Sequence, residues 1–193
     1  MNDQLLWYTT RGAGAVSLLL LTAVVVGGLL ARLRFETAGW PRFMNATFHR
    51  DLALMTLVFL ALHIVTAVVD PFTSLGLTPV LVPFGSSYRT FWLGLGTIAF
   101  MLLLAIVATS LARAWIGARA WRAVHWLAYA SWPVAVVHGL GTGTDARSVW
   151  LLAITVACMG AVAGVGAWRL LAAPADPLGA ARREAAGTHR VLP

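Results

Sequence analysis

The sequence contains no lysine: all fourteen of its basic residues are arginine, against seven acidic residues. None of those acids falls in the middle of a long apolar run. A chain of coupling carboxylates inside a membrane is therefore absent. The one cysteine, Cys158, sits in an apolar stretch. It excludes an intrachain disulfide, a thiolate cluster and the C-x-x-C-H attachment of a c-type haem, and is read as a packing residue. No Gly-rich dinucleotide fingerprint follows a strand pattern. The net charge of +7 does not imply nucleic acid, because the arginines gather between apolar segments rather than forming a stripe with interleaved aromatics.

What is present is apolar surface. Sixty per cent of residues are hydrophobic and 11% are charged, with a mean hydropathy of +0.80. A water-soluble fold of this length has no means of hiding so much apolar area. Five segments reach the roughly 20 residues that cross a bilayer core: Gly12–Ala31, Phe48–Val69, Phe91–Ala112, Trp121–Leu140 and Val149–Leu171. The expected fold is an all-α membrane protein, a five-helix transmembrane bundle over 1–171, followed by a solvated, poorly ordered cytoplasmic tail over 172–193. The N-terminus has no basic region of the kind that opens a cleaved signal peptide.

Arginine placement orients the spans. Eleven arginines flank the first and third connections or follow the fifth span, and only Arg11, Arg89 and Arg147 lie opposite. The positive-inside bias puts the C-terminus in the cytoplasm and the N-terminus outside, in a plasma (cell inner) membrane. The long outer loop from Asp70 to Thr90, DPFTSLGLTPVLVPFGSSYRT, is too broken by proline to span and is expected to form an interfacial lid.

Span two carries His49 and His63, fourteen residues apart, and span four carries His125 and His138, thirteen apart. Both spans start on the cytoplasmic side, so His49 and His125 share an inner level and His63 and His138 an outer one. About 20 Å of helix rise separates the levels. On span two both rings return to nearly one face. On span four they do not, unless Pro133, between them, kinks or rewinds the helix. An unpartnered histidine buried in lipid costs on the order of a few kcal/mol. Four that pair by depth point instead to ligation of haem iron between two helices. Arg50 and Arg122, close to the inner pair in sequence, are candidates to meet haem propionates. Arg89, with Arg11 and Arg147, is a candidate for the outer level.

The double spacing, H-x13-H and then H-x12-H two helices later, resembles that of the ferric reductase-like transmembrane domain shared by NADPH oxidases and ferric-chelate reductases. The resemblance covers about Trp7 to Leu171. It implies two b-type haems, one held by His49 with His125 and one by His63 with His138. It also implies transmembrane electron transfer, of an oxidoreductase type, toward an extracytoplasmic acceptor. Family enzymes continue into a domain binding FAD and NADPH, which these residues do not show. Flavin or NADPH is thus expected only through a separate flavoprotein, with membrane quinol as the other candidate donor. A close variant resembles the haem subunit of the bacterial periplasmic methionine sulfoxide reductase system, which feeds a soluble partner. From another class, the same histidines could line a proton or metal path in a transporter.

Overall fold

The computed structural model describes residues 3–33, 42–71, 75–143 and 148–171, all of them helix or connecting turn. The proposed tail, 172–193, and Arg147 lie outside these residues. The described elements are α1 (Asp3–Arg32), α2 (Arg42–Val69), α3 (Thr78–Leu81), α4 (Thr90–Leu111), α5 (Arg113–His125), α6 (Ala128–Thr142) and α7 (Val149–Leu171). Among them α1, α2, α4 and α7 are long and apolar enough to cross a membrane.

The expected fourth span is divided. α5 and α6 meet at Trp126 and Leu127, and neither piece alone has the length of a span. Around the join the backbone tightens: Leu127, Tyr129 and Ala130 donate to Val124, Trp126 and Leu127, three residues back, before Ser131 resumes the four-residue step. Pro133 lies one turn further on and has no N–H for the carbonyl of Tyr129. Each residue of such 3₁₀ geometry turns about 120° rather than about 100°. The rewinding recovers part of the angle that thirteen regular steps leave between His125 and His138. α5 is itself bent at Gly117, whose φ of 78° only glycine adopts without strain.

Side chains are sorted as a lipid-facing bundle requires. Leu54, Met55, Val58, Leu62, Val65 and Val69 form an exposed stripe along α2. Buried positions combine apolar residues such as Leu6, Val25, Ile106 and Val136 with small hydroxyl residues: Ser17, Thr22, Thr56, Thr66, Thr97, Ser131 and Thr155. Each of the latter returns its hydroxyl to a carbonyl of its own helix, so helices approach closely without orphaning a polar group. Thr109 and Ser110 do the same, and Cys158 is buried. These features fit an integral membrane protein.

α1 packs along α2 and also touches α6 and α7, while α4 packs along α6 and against α5 and α3. α2 makes no such close backbone approach to α6. Two helical layers are left facing each other across a gap.

Candidate functional site

That gap contains the histidines. The rings of His63 on α2 and His138 on α6 lie 6.4 Å apart between centroids, with planes at 80°. At the other level, His49 on α2 and His125 at the end of α5 are 6.1 Å apart with planes at 59°. The pairing by depth read from the spacing is the pairing found. Two imidazoles on opposite sides of one metal, each nitrogen roughly 2 Å from it, have centroids roughly 6 Å apart. Both separations match that value.

Three of the four rings are tied to a neighbouring helix. His63 donates from Nδ1 to the carbonyl of Thr10 at 2.8 Å. His138 donates to the carbonyl of Trp92 at 2.8 Å, with the Thr142 hydroxyl 3.1 Å from the same nitrogen. His49 donates to the carbonyl of Val24 at 3.1 Å. A carbonyl only accepts, so Nδ1 carries the proton in each ring and Nε2 keeps the lone pair a metal needs. His125 differs: its Nδ1 is buried with no hydrogen-bond partner, and its ring packs on Trp121 at 5.0 Å.

A cavity of about 300 Å³ opens at the His63–His138 level, within the range of small-molecule sites. Its walls include both rings, Leu18, Leu21, Phe100 and Leu103, with Arg11, Asp70 and Tyr88 among the polar residues. The long loop expected as a lid contributes Leu75, Pro79 and Val80 to the cavity lining. It is pinned there: Thr97 of α4 donates its hydroxyl to the carbonyl of Pro79, and Phe84, at a φ of 64°, sits against Gly94.

The arginines distribute less simply. Arg89 caps α6, donating from Nη1 to the carbonyls of Gly141 at 2.7 Å and Thr142 at 3.2 Å. It does not line the cavity, whereas Arg11 does. Arg50 is exposed and pairs with its neighbour Asp51 at 3.2 Å, and Arg122 is exposed on α5, one turn before His125. Two tryptophans between the histidines of α5 and α6 have partners of their own. Trp132 donates to the Thr22 hydroxyl, and Trp126 lies between the guanidiniums of Arg32 and Arg169, 5.2 and 5.8 Å from its ring.

No group of three or more metal-ligating side chains occurs among the described residues. The donor set is paired imidazole, which suits a metal whose remaining ligands come from a macrocycle. A family model described as ferric reductase like transmembrane component matches residues 12–136. The chain belongs to that family. The match takes in His49, His63 and His125 and ends two residues before His138. No curated protein and no solved structure matches the chain.

Sequence reading identified the ligand candidates but not what holds them. The carbonyls of Thr10, Val24 and Trp92 leave no trace in residue type. The glycines beside them do, as RGAGA, VVGGL and WLGLG.

Proposed function

We propose that this ferric reductase-like chain carries electrons across a membrane, with two b-type haems held by His49 and His125 at one level and by His63 and His138 at the other. The observation that carries this reading is the ring pairing: two imidazole pairs, at two depths, each at the separation two ligands of one metal take. Haem, when bound, supplies a reversible one-electron carrier at each level.

The protein's own groups do the rest. The carbonyls of Thr10, Trp92 and Val24 hold Nδ1–H and so direct Nε2 to the metal. His49 with His125, and His63 with His138, would hold the iron through two imidazoles at each level, an arrangement that would favour electron transfer over binding of a substrate at the metal. The His63–His138 cavity is walled mostly by apolar side chains, and Arg11 offers it a cation suited to a propionate. Arg50 and Arg122, exposed near the other pair, are proposed for the same role there. α5 and α6 together form the fourth of five spans, broken at Trp126–Leu127.

In the membrane, His49 and His125 stand at the cytoplasmic level and His63 and His138 at the outer one, with the N-terminus outside. Electrons arrive from a separate flavoprotein or from quinol and leave to an extracytoplasmic acceptor. A direct test uses haem-loaded protein in sealed vesicles that enclose ferricyanide, with dithionite added outside. Bleaching that depends on the protein, and is lost in His63→Ala and in His49→Ala, supports the reading. Bleaching no faster than in protein-free vesicles would overturn it.

A further inference from the structure

The three tied histidines share one arrangement. His63 lies against Gly14 and donates to Thr10; His138 lies against Gly96 and donates to Trp92; His49 lies against Gly28 and donates to Val24. In every case the acceptor is the carbonyl four residues before the glycine. In a helix that carbonyl already receives the glycine's own N–H, so it sits at the glycine's surface, one turn away. A side chain at the glycine would stand in the path of the incoming ring.

Crowding differs among the three. A methyl carbon on Gly96 would lie 2.5 Å from Cε1 and 2.7 Å from Nδ1 of His138. On Gly14 it would lie 3.0 Å from Nδ1 of His63, and on Gly28 3.6 Å from Cε1 of His49, an ordinary contact. Gly12 and Gly139 have nothing within 4 Å of that position. The helices encode the register: Gly14 and Gly28 on α1 are fourteen apart, the spacing of His63 and His49 on antiparallel α2. α4 has no glycine after Gly96. The fourth ring, His125, accordingly meets no such carbonyl, and Trp121, whose Nε1 donates to Ser110 of α4, backs it instead.

We infer that Gly96 and Gly14 are positioning residues for the His138 and His63 imidazoles, their bare backbone letting each ring reach a helix carbonyl that selects Nε2 as the free nitrogen. The inference deepens the functional reading and takes from it the identity of the metal. The hydrogen bonds themselves stand apart from that reading, so the test has two arms.

In the first arm, imidazole ¹⁵N shifts are measured on haem-free protein in detergent. Wild type, Gly12→Ala and Gly139→Ala show His63 and His138 as the Nδ1–H tautomer. Gly96→Ala converts His138 to a mixture, and Gly14→Ala does so more weakly for His63. Unchanged tautomers in both Gly96→Ala and Gly14→Ala would overturn the inference, whether or not haem binds.

In the second arm, haem per chain and the low-spin electron paramagnetic resonance signal are read after loading. Gly96→Ala falls from two haems toward one, and Gly14→Ala keeps two with one signal displaced. Gly28→Ala matches wild type. Adding His138→Ala to Gly96→Ala costs nothing further, because both act on one level. Equal loss from both levels in Gly96→Ala, or wild-type signals in both variants, would overturn the positioning role. Wild-type protein that binds no haem would defeat the functional reading, while the first arm still decides the inference.

Discussion

The rings of His49 and His125 lie 6.1 Å apart, yet only His49 is hydrogen-bonded through Nδ1. Its partner is held by packing on Trp121, which in turn carries the Arg113 guanidinium 4.4 Å above its ring. The two levels therefore have different supports: carbonyls on both sides at His63–His138, and a carbonyl opposite an indole here.

Trp121→Ala is expected to loosen this level alone. In the haem-loaded protein one of the two low-spin signals broadens or shifts and its haem is released faster, while the other is unchanged. Trp121→Phe, which keeps a ring against His125, retains most of the wild-type signal. Equal perturbation of both signals would show that Trp121 supports the bundle in general.

Arg89 acts at a helix end. Its Nη1 meets the last carbonyls of α6, where a cation also opposes the helix dipole. Arg89→Ala is expected to lower stability by about 1 kcal/mol, read as a fall in melting temperature in detergent. Arg89→Lys recovers part of it. Haem stoichiometry stays at two in both, since the side chain does not wall the cavity.

Pro133 governs the register between His125 and His138. Pro133→Ala restores a donor for Tyr129 and favours a continuous α-helix through the tight turns at Val124–Ala130. Helicity by circular dichroism rises slightly, and haem falls toward one per chain as one ring leaves its partner. Two retained haems would show that the rewinding is held by packing rather than by the proline.

Much of this was legible in sequence because membrane helices obey few rules. Length and hydropathy marked the four long apolar helices, and the spacings of His49 with His63 and His125 with His138 suggested which rings meet. The ends were harder. α1 starts at Asp3 and α2 at Arg42, since a helix backbone satisfies its own hydrogen bonds and need not stop where hydropathy falls.

The division of the fourth span was legible only as a question. Pro133 announced a disturbance, but the tight turns fall earlier, with accepting carbonyls at Val124, Trp126 and Leu127 rather than at Tyr129, which the proline leaves without a donor. For Arg89, charge and sequence position do not reveal that its guanidinium meets a helix C-terminus. By residue type alone, the glycines of RGAGA and WLGLG point to close helix packing. That a ring rather than a helix fills the space depends on which residue faces them, a fact of tertiary register.

The central claim is two haems on four paired histidines. It is tested most directly by the reduced-minus-oxidised spectrum of purified protein with a pyridine haemochrome count. The account predicts low-spin b-type bands at two haems per chain, falling to one in each of His49→Ala, His125→Ala, His63→Ala and His138→Ala. It also predicts no further loss when both members of one pair are removed. A wild-type chain that holds no haem when supplied with excess, or four alanine variants that all keep two, would contradict it.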